Sequence, residues 1–130
     1  MKIINSLVFV LCILSSCNLI NRHNVESTFR EDIGFDNDSI TVLSGDFQSG
    51  QLIYNMNFSE RRQIFERYSF YDLDSLKCLM RAENCNVKTS INLKNDYRYN
   101  FKSDKAMYSF HIIGISPDSC SLVYFIFYGD

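Results

Sequence analysis

The C-terminal third of the chain shows the most regular alternation of apolar and polar residues. A period of two is typical of half-buried strands, and a segment that is apolar on both faces is typical of the centre of a sheet. The segment 122–128 is apolar on both faces, and Pro117-Asp118 before it predicts a turn. We therefore predict a four-stranded antiparallel meander formed by residues 87–93, 97–102, 107–115 and 122–128.

The first half of the domain mixes helical and strand patterns. Val25 to Ile33 predicts a helix that begins after Asn24 and is closed by Gly34. Two strands that form a hairpin are predicted at 40–43 and 51–58, and Leu52, Tyr54, Met56 and Phe58 share one face of the second. Two short helices follow, one capped by Ser59 and one that ends near Asn84. The predicted class is α+β, an antiparallel sheet with helices packed on one face.

The N-terminus carries a short apolar run. Lys2 precedes eight residues without a polar side chain, Leu7 to Leu14. A membrane-spanning helix needs about 20 apolar residues, so this run has the length of the central region of a signal peptide. The small residues Ser15 and Ser16 follow where a cleavage site belongs.

The sequence Leu14-Ser15-Ser16-Cys17 resembles the lipobox of bacterial lipoproteins, an aliphatic residue and two small residues before a cysteine. The resemblance implies that the thiol of Cys17 receives a diacylglycerol group and that the chain is cut before this residue. Two or three acyl chains are enough for stable anchoring. The resemblance implies a signal peptide (1–16) and a lipidated tether (17–24), and the strand and helix patterns of the remaining chain predict one α+β domain (25–130). The alternative is an ordinary secretory signal, cut near Ser16, that releases a soluble protein.

The localisation that the resemblance implies is the cell envelope. Asn18, not Asp, follows the cysteine, which implies the outer membrane in a bacterium with two membranes. In a bacterium with one membrane it implies the outer face of that membrane. The tether residues 18–24 span about 23 Å when extended, at roughly 3.3 Å per residue, so the domain is expected close to its membrane.

Composition narrows the function classes. Of the 130 residues, 46% are hydrophobic and 22% charged, as in a single globular domain. Thirteen Lys and Arg against fifteen Asp and Glu leave a net charge of −2, so nucleic-acid binding is not expected. The chain contains no phosphate-binding loop, dinucleotide fingerprint, nucleophile elbow or zinc-protease motif, and no cofactor or metal is predicted.

His111 is the only histidine of the predicted domain, because His23 lies in the tether. Strand alternation places it on the same face as Ser109 and Ile113. A general base needs a nucleophile or a proton donor nearby, and no sequence pattern supplies one. A structural histidine is the expectation. A hydrolase that uses His111 with a carboxylate such as Asp118 ranks last among the functions considered.

Three cysteines remain when Cys17 carries lipid. In an exported protein, one disulfide and one free thiol are the default expectation for Cys78, Cys85 and Cys120. In the predicted meander, Cys85 and Cys120 lie at opposite ends of the sheet, roughly 20 Å apart. The candidate disulfide is therefore Cys78–Cys85, which can form if the chain reverses near Asn84.

An acidic segment supplies the candidate partner-binding residues. Residues 26–46 carry six acidic side chains and one arginine, a charge that fits a basic protein partner. The candidates are Glu31, Asp32, Asp36 and Asp38. We predict a lipid-anchored envelope protein, not an enzyme, with a partner-binding or structural role. The alternative is an immunity lipoprotein that neutralises an envelope-directed toxin.

Overall fold

The computed structural model describes residues 25–45, 49–85, 92–106 and 109–128. Within these ranges the chain forms three helices and five strands. The helices are α1 (25–33), α2 (Phe58–Arg67) and α3 (Leu73–Ala82). The strands are β1 (Ile40–Gly45), β2 (Ser49–Asn55), β3 (Arg98–Asp104), β4 (Ser109–Ile115) and β5 (Ser121–Tyr128). The predicted α+β class is confirmed.

The strands form one antiparallel sheet in the order β1-β2-β5-β4-β3. β3, β4 and β5 are the last three strands of the predicted meander, and the β1–β2 hairpin joins them through β2–β5 pairing. This strand order differs from the prediction, which began the meander with a strand at 87–93. Residues 92–94 are not in a strand, and residues 86–91 lie outside the described part. β5 is central, as its two apolar faces predicted.

The helices lie on both faces of the sheet, not on one as predicted. Ile113 and Tyr124, which pair across β4 and β5, pack with α1 and α2. Their neighbours Ile112 and Phe125 point to the opposite face and pack with α3. The central strands are apolar on both faces, so both faces need a cover.

The core accordingly has two parts. The larger part contains Val25, Phe29, Ile33, Phe35, Leu52, Tyr54, Met56, Ile64, Ile113, Ile115, Leu122, Tyr124 and Ile126. The smaller part contains Leu73, Leu76, Tyr99, Ile112, Phe125 and Phe127. The chain passes between them around the β3 edge, where Tyr71 and Tyr99 exchange backbone hydrogen bonds of 2.8 and 2.7 Å.

The ends of α1 and α2 follow from local hydrogen bonding. Gly34, at φ +82°, closes α1 as predicted. Asn57, not Ser59, caps α2, because its side chain accepts the Glu60 N–H while the Glu60 carboxylate accepts the Asn57 N–H. Phe58 is therefore the first residue of α2 rather than the last of a strand. Its side chain is 73% exposed, whereas Leu52, Tyr54 and Met56, which were predicted to share its face, are buried.

Helix α3 has the clearest ends in the described part of the chain. The Asp72 side chain accepts the Ser75 N–H at 2.8 Å and caps the N-terminus. At the other end Asn84 adopts φ 54°, the Asn84 N–H bonds to Arg81 and the Cys85 N–H bonds to Met80. This pair of bonds is a Schellman motif, which reverses the chain at the predicted position.

Among the described residues, no helix combines the length and the apolar character needed to cross a membrane.

Candidate functional site

His111 lies on β4 and faces α1. In the sheet register it is opposite Lys102 on β3 and Ile126 on β5. Ser109 is two residues earlier on the same face, and Tyr124 reaches the ring from β5. Only 7% of His111 and 2% of Ser109 are exposed. Three strands and one helix therefore surround a single imidazole.

Both ring nitrogens of His111 have polar partners. Nε2 lies 3.1 Å from the hydroxyl oxygen of Ser109, and Nδ1 lies 2.6 Å from the hydroxyl oxygen of Tyr124. The Tyr124 hydroxyl donates to Asp32 Oδ2 at 3.3 Å, and that oxygen is 3.7 Å from Nδ1. The four side chains form a continuous polar chain from Ser109 to Asp32.

The charges around the ring nearly balance. Lys102 forms an ion pair with Asp32, which is 18% exposed. Burial lowers the pKa of His111 below its usual range. The Asp32 carboxylate opposes this change, Lys102 reinforces it, and Asp104 opposes it weakly. Burial and the Asp32 charge raise the pKa of Tyr124, so its hydroxyl keeps its proton. His111 is consequently neutral at pH 7.

A cleft of about 560 Å³ opens next to this cluster, between α1 and the β3–β4 side of the sheet. Residues of α1 form one wall, and residues of β3 and β4 form the other. Its lining includes Thr28, Glu31, Asp32, Lys102, Ser109 and His111. A concave site with several converging polar groups is the usual form of a small-molecule site.

The predicted partner-binding residues do not form one patch. Asp32 points into the His111 cluster and pairs with Lys102, and Glu31 lines the cleft. Asp36 and Asp38 are exposed in the segment that connects α1 and β1. Asp32 is therefore an internal ion-pair partner, because its position in the last turn of α1 turns it towards the sheet.

The pairing of His111 with Asp118 is wrong. Asp118 lies in the turn between β4 and β5, where its carboxylate accepts bonds from Ser116 Oγ at 2.6 Å and the Cys120 N–H at 3.0 Å. These hydrogen bonds lower the pKa of Asp118 and hold the turn. The carboxylate that faces His111 is Asp32.

The three cysteines of the described ranges are free thiols. Cys78 is exposed on α3, Cys85 is the buried last residue of the Schellman motif, and burial raises the pKa of the Cys85 thiol. Cys120 lies beside Arg61, whose guanidinium is 3.6 Å from its sulfur. The Cys78–Cys85 disulfide stays a prediction.

The sequence reasoning placed Ser109 on the face of His111 but did not identify it as a partner of the ring, and it missed Tyr124 and Lys102. For Ser109 a signal existed, because a spacing of two residues on a strand places it beside His111. Lys102 and Tyr124 meet Asp32 across 70 and 92 residues of sequence, and no local pattern records such contacts.

Within the described part of the chain, no group of three His, Cys, Asp or Glu side chains converges as a metal site requires. No protein-family model matches the chain, and neither the curated proteins nor the solved structures compared with it include a match.

Proposed function

We propose that the protein is a lipoprotein of the cell envelope, anchored through acyl groups on Cys17, whose domain binds a protein partner. The anchor rests on the lipobox resemblance of Leu14-Ser15-Ser16-Cys17. The binding role rests on the position of one exposed aromatic residue, Phe58, relative to the tether. This role requires no catalytic step.

Val25, where the predicted tether joins the domain, and Phe58 lie near opposite ends of β2. Val25, the first described residue after the predicted tether, packs so closely on Gly50 that a Cβ there would be 2.0 Å from Val25 Cγ2. Phe58 follows the other end of the strand, beyond Asn55. Gly50 and Asn55 are five residue steps apart along the strand, about 17 Å. A tether on the Val25 side leaves Phe58 on the side away from the membrane.

Phe58, Asp36 and Asp38 form what we call the distal surface. The side-chain amide of Asn37 donates to Glu60 at 2.8 Å, which holds the segment with both aspartates against the first turn of α2. The ring of Phe58 is 73% exposed and has Arg61 stacked over it at 5.7 Å. An exposed aromatic next to charged groups is typical of an interaction hot spot.

The chemistry of this surface defines the partner. A protein that offers an apolar pocket for Phe58, bordered by lysine or arginine for Asp36 and Asp38, is complementary to it. An immunity role against a basic toxin uses the same surface and is the second candidate. The toxin would be recognised by the same residues, so both candidates share one test.

The anchor is tested by substitution of Cys17. The variant Cys17→Ala is expected to accumulate as an uncut precursor, to take up no labelled fatty acid and to leave the detergent phase. Ser6→Ala, in the same signal segment, is the control and should be processed normally. A wild-type mature chain with an unmodified mass, or one that begins at another residue, contradicts the anchor.

The binding role is tested by photocrosslinking in the native cell. A benzoylphenylalanine at position 58 is expected to give one discrete protein adduct, and the matched position Leu79, 38% exposed on α3, is expected to give none. The crosslinked peptide should lie near Lys or Arg residues of the partner. Asp36→Lys with Asp38→Lys should reduce the yield at least tenfold. Equal adducts at positions 58 and 79, adducts to lipid alone, or no adduct contradict the proposal.

A further inference from the structure

The Ser109–His111 pair has the geometry of a nucleophile with its base. The two residues share one face of β4, and the hydroxyl oxygen is 3.1 Å from Nε2. A hydroxyl becomes a useful nucleophile when an adjacent base accepts its proton within about 2.6–3.2 Å. The base must be neutral for this step, and burial keeps His111 neutral at pH 7.

The hydrogen bonds of the cluster define the tautomer of His111. The carboxylate of Asp32 can only accept, so the Tyr124 hydroxyl donates to it. That hydroxyl has one proton, so it accepts from Nδ1–H at 2.6 Å. The lone pair of Nε2 then points to the hydroxyl of Ser109. This arrangement matches the tautomer and direction of proton transfer in a serine–histidine–acid triad, with Tyr124 between base and acid.

The cleft gives this pair access to a ligand of limited size. Ser109 and His111 both line it, but only 2% and 7% of their surfaces are exposed. We therefore expect only a slim, unbranched acyl group to reach a nucleophile so enclosed. Lys105 lines the same cleft and is the cation that could face a developing oxyanion, because Lys102 is paired with Asp32; Glu31 and Asp104 also line the cleft.

We propose that Ser109 and His111 form a catalytic pair that hydrolyses esters of short acyl groups. The Ser109 oxygen attacks the carbonyl carbon, its proton moves to Nε2, and the ester C–O bond breaks as Nε2–H protonates the leaving alkoxide. Water then attacks the acyl-serine, gives its proton to Nε2, and Ser109 recovers that proton as the carboxylic acid leaves. The sum is ester plus water giving acid plus alcohol.

Tyr124 and Asp32 are positioning residues in this scheme. They orient the imidazole through Nδ1 and take no part in making or breaking bonds of the substrate. This activity goes beyond the partner-binding role and uses different residues, since the distal surface lies at the other end of β2. Either proposal can therefore fail without the other.

The first experiment labels the nucleophile in the full-length protein in detergent. Methanesulfonyl fluoride, a reagent small enough for the enclosed site, is expected to form a sulfonate ester with the Ser109 oxygen and release fluoride, with the adduct located by peptide mass. Ser109→Ala should abolish the adduct, and Ser69→Ala, an exposed serine of the α2–α3 connection, should leave it unchanged. A folded wild-type protein without an adduct at Ser109, or with one only at another residue, overturns the proposal.

The second experiment measures turnover of p-nitrophenyl esters. p-Nitrophenyl acetate is expected to be hydrolysed at least tenfold faster than p-nitrophenyl octanoate. His111→Gln or Ser109→Ala should lower kcat/KM for p-nitrophenyl acetate at least about a hundredfold. An acetate rate that Ser109→Ala leaves unchanged overturns the proposal, and the cluster is then a structural network alone.

Asp32→Asn separates positioning from folding, because it keeps the size of the side chain. It removes the carboxylate that favours the charged form of the His111 ring, so the apparent pKa of His111 in the pH profile of kcat/KM should move lower. The value of kcat should also fall. A profile that does not move while the protein stays folded contradicts the role of Asp32.

Discussion

At the scale of single residues, the environment of His111 departs most from what its neighbours in sequence suggest. A mid-strand histidine between Phe110 and Ile112 reads as a packing residue. The structure surrounds it with Ser109, Tyr124 and the Asp32–Lys102 ion pair. Each partner offsets part of the cost of burying a polar ring, because buried donors and acceptors are costly when unpaired.

The lowered pKa of His111 predicts a dependence of stability on pH. Well above pH 6.5, the ordinary pKa of histidine, the ring is neutral in both the folded and the unfolded chain, so protonation of His111 does not reduce the free energy of unfolding. Below this pKa the unfolded chain binds a proton that the folded chain disfavours, although Asp32 and Asp104 attract it and Lys102 repels it. The free energy of unfolding should fall by up to about 1.4 kcal/mol per pH unit until the folded pKa is reached.

Urea unfolding between pH 5.5 and 7.5 measures this dependence, above the range in which most carboxylates titrate. His111→Gln should flatten the curve. An equally steep curve in that variant assigns the proton to another group.

The thiols give a second prediction at this scale. The three thiols are free in the structure, but if the protein is exported to an oxidising compartment as proposed, a Cys78–Cys85 disulfide is expected, with Cys120 reduced, because the Schellman motif at Asn84 turns the chain back at Cys85. A loop this short contributes at most about 2–3 kcal/mol, so the reduced domain should still fold. Peptide mapping without reductant checks the pairing, and a link between Cys85 and Cys120 contradicts it.

At the scale of elements, α1 is fixed by contacts with the sheet at both of its ends. α1 crosses the sheet from Gly50, where Val25 packs, to His111, where Asp32 points inward. α2 is tied to α1 by Arg67, which donates to the carbonyl of Ile33. α3 is separate from both and packs on the other face. The position of α1 therefore depends on the absence of a side chain at residue 50.

Gly50→Ala should destabilise the domain by about 1–3 kcal/mol, because its Cβ would lie 2.0 Å from Val25 Cγ2. In the double variant with Val25→Ala the clash is relieved, so the loss should be smaller than the sum of the single losses by at least about 1 kcal/mol. Urea unfolding gives all three values. Leu76→Ala, on the opposite face, is the control and should add to Gly50→Ala. Additivity of Gly50→Ala with Val25→Ala would disprove the close approach.

At the scale of the whole molecule, one sheet separates two cores. β5 and β4 each pair with a strand on both sides, and their residues are buried on both faces. β1 is an edge strand with one neighbour and several exposed residues. The side chains of the central strands thus contribute to both cores, one on each face, and local opening should be rarest there.

Amide hydrogen exchange should follow this order. Amides of Ile112, Ile113, Tyr124 and Phe125 are expected to exchange most slowly, near the rate of global unfolding. Those of β1 should exchange at least a hundredfold faster, because fewer buried contacts oppose their opening. Exchange followed by mass spectrometry resolves the two groups. Equal protection of β1 and β5 would contradict the expectation that β5, which is buried on both faces, opens less often than the edge strand β1.

The sequence by itself determined the α+β class, the three helices in the described ranges and the central place of β5. Those features depend on local periodicity, caps and Gly34, which act within a few residues. The tertiary structure alone decided that α3 covers the second face, that β2 pairs with β5, and that Asp32 meets His111. Each is a contact between residues far apart in sequence, selected by which apolar faces must be buried together, and no local pattern encodes that choice.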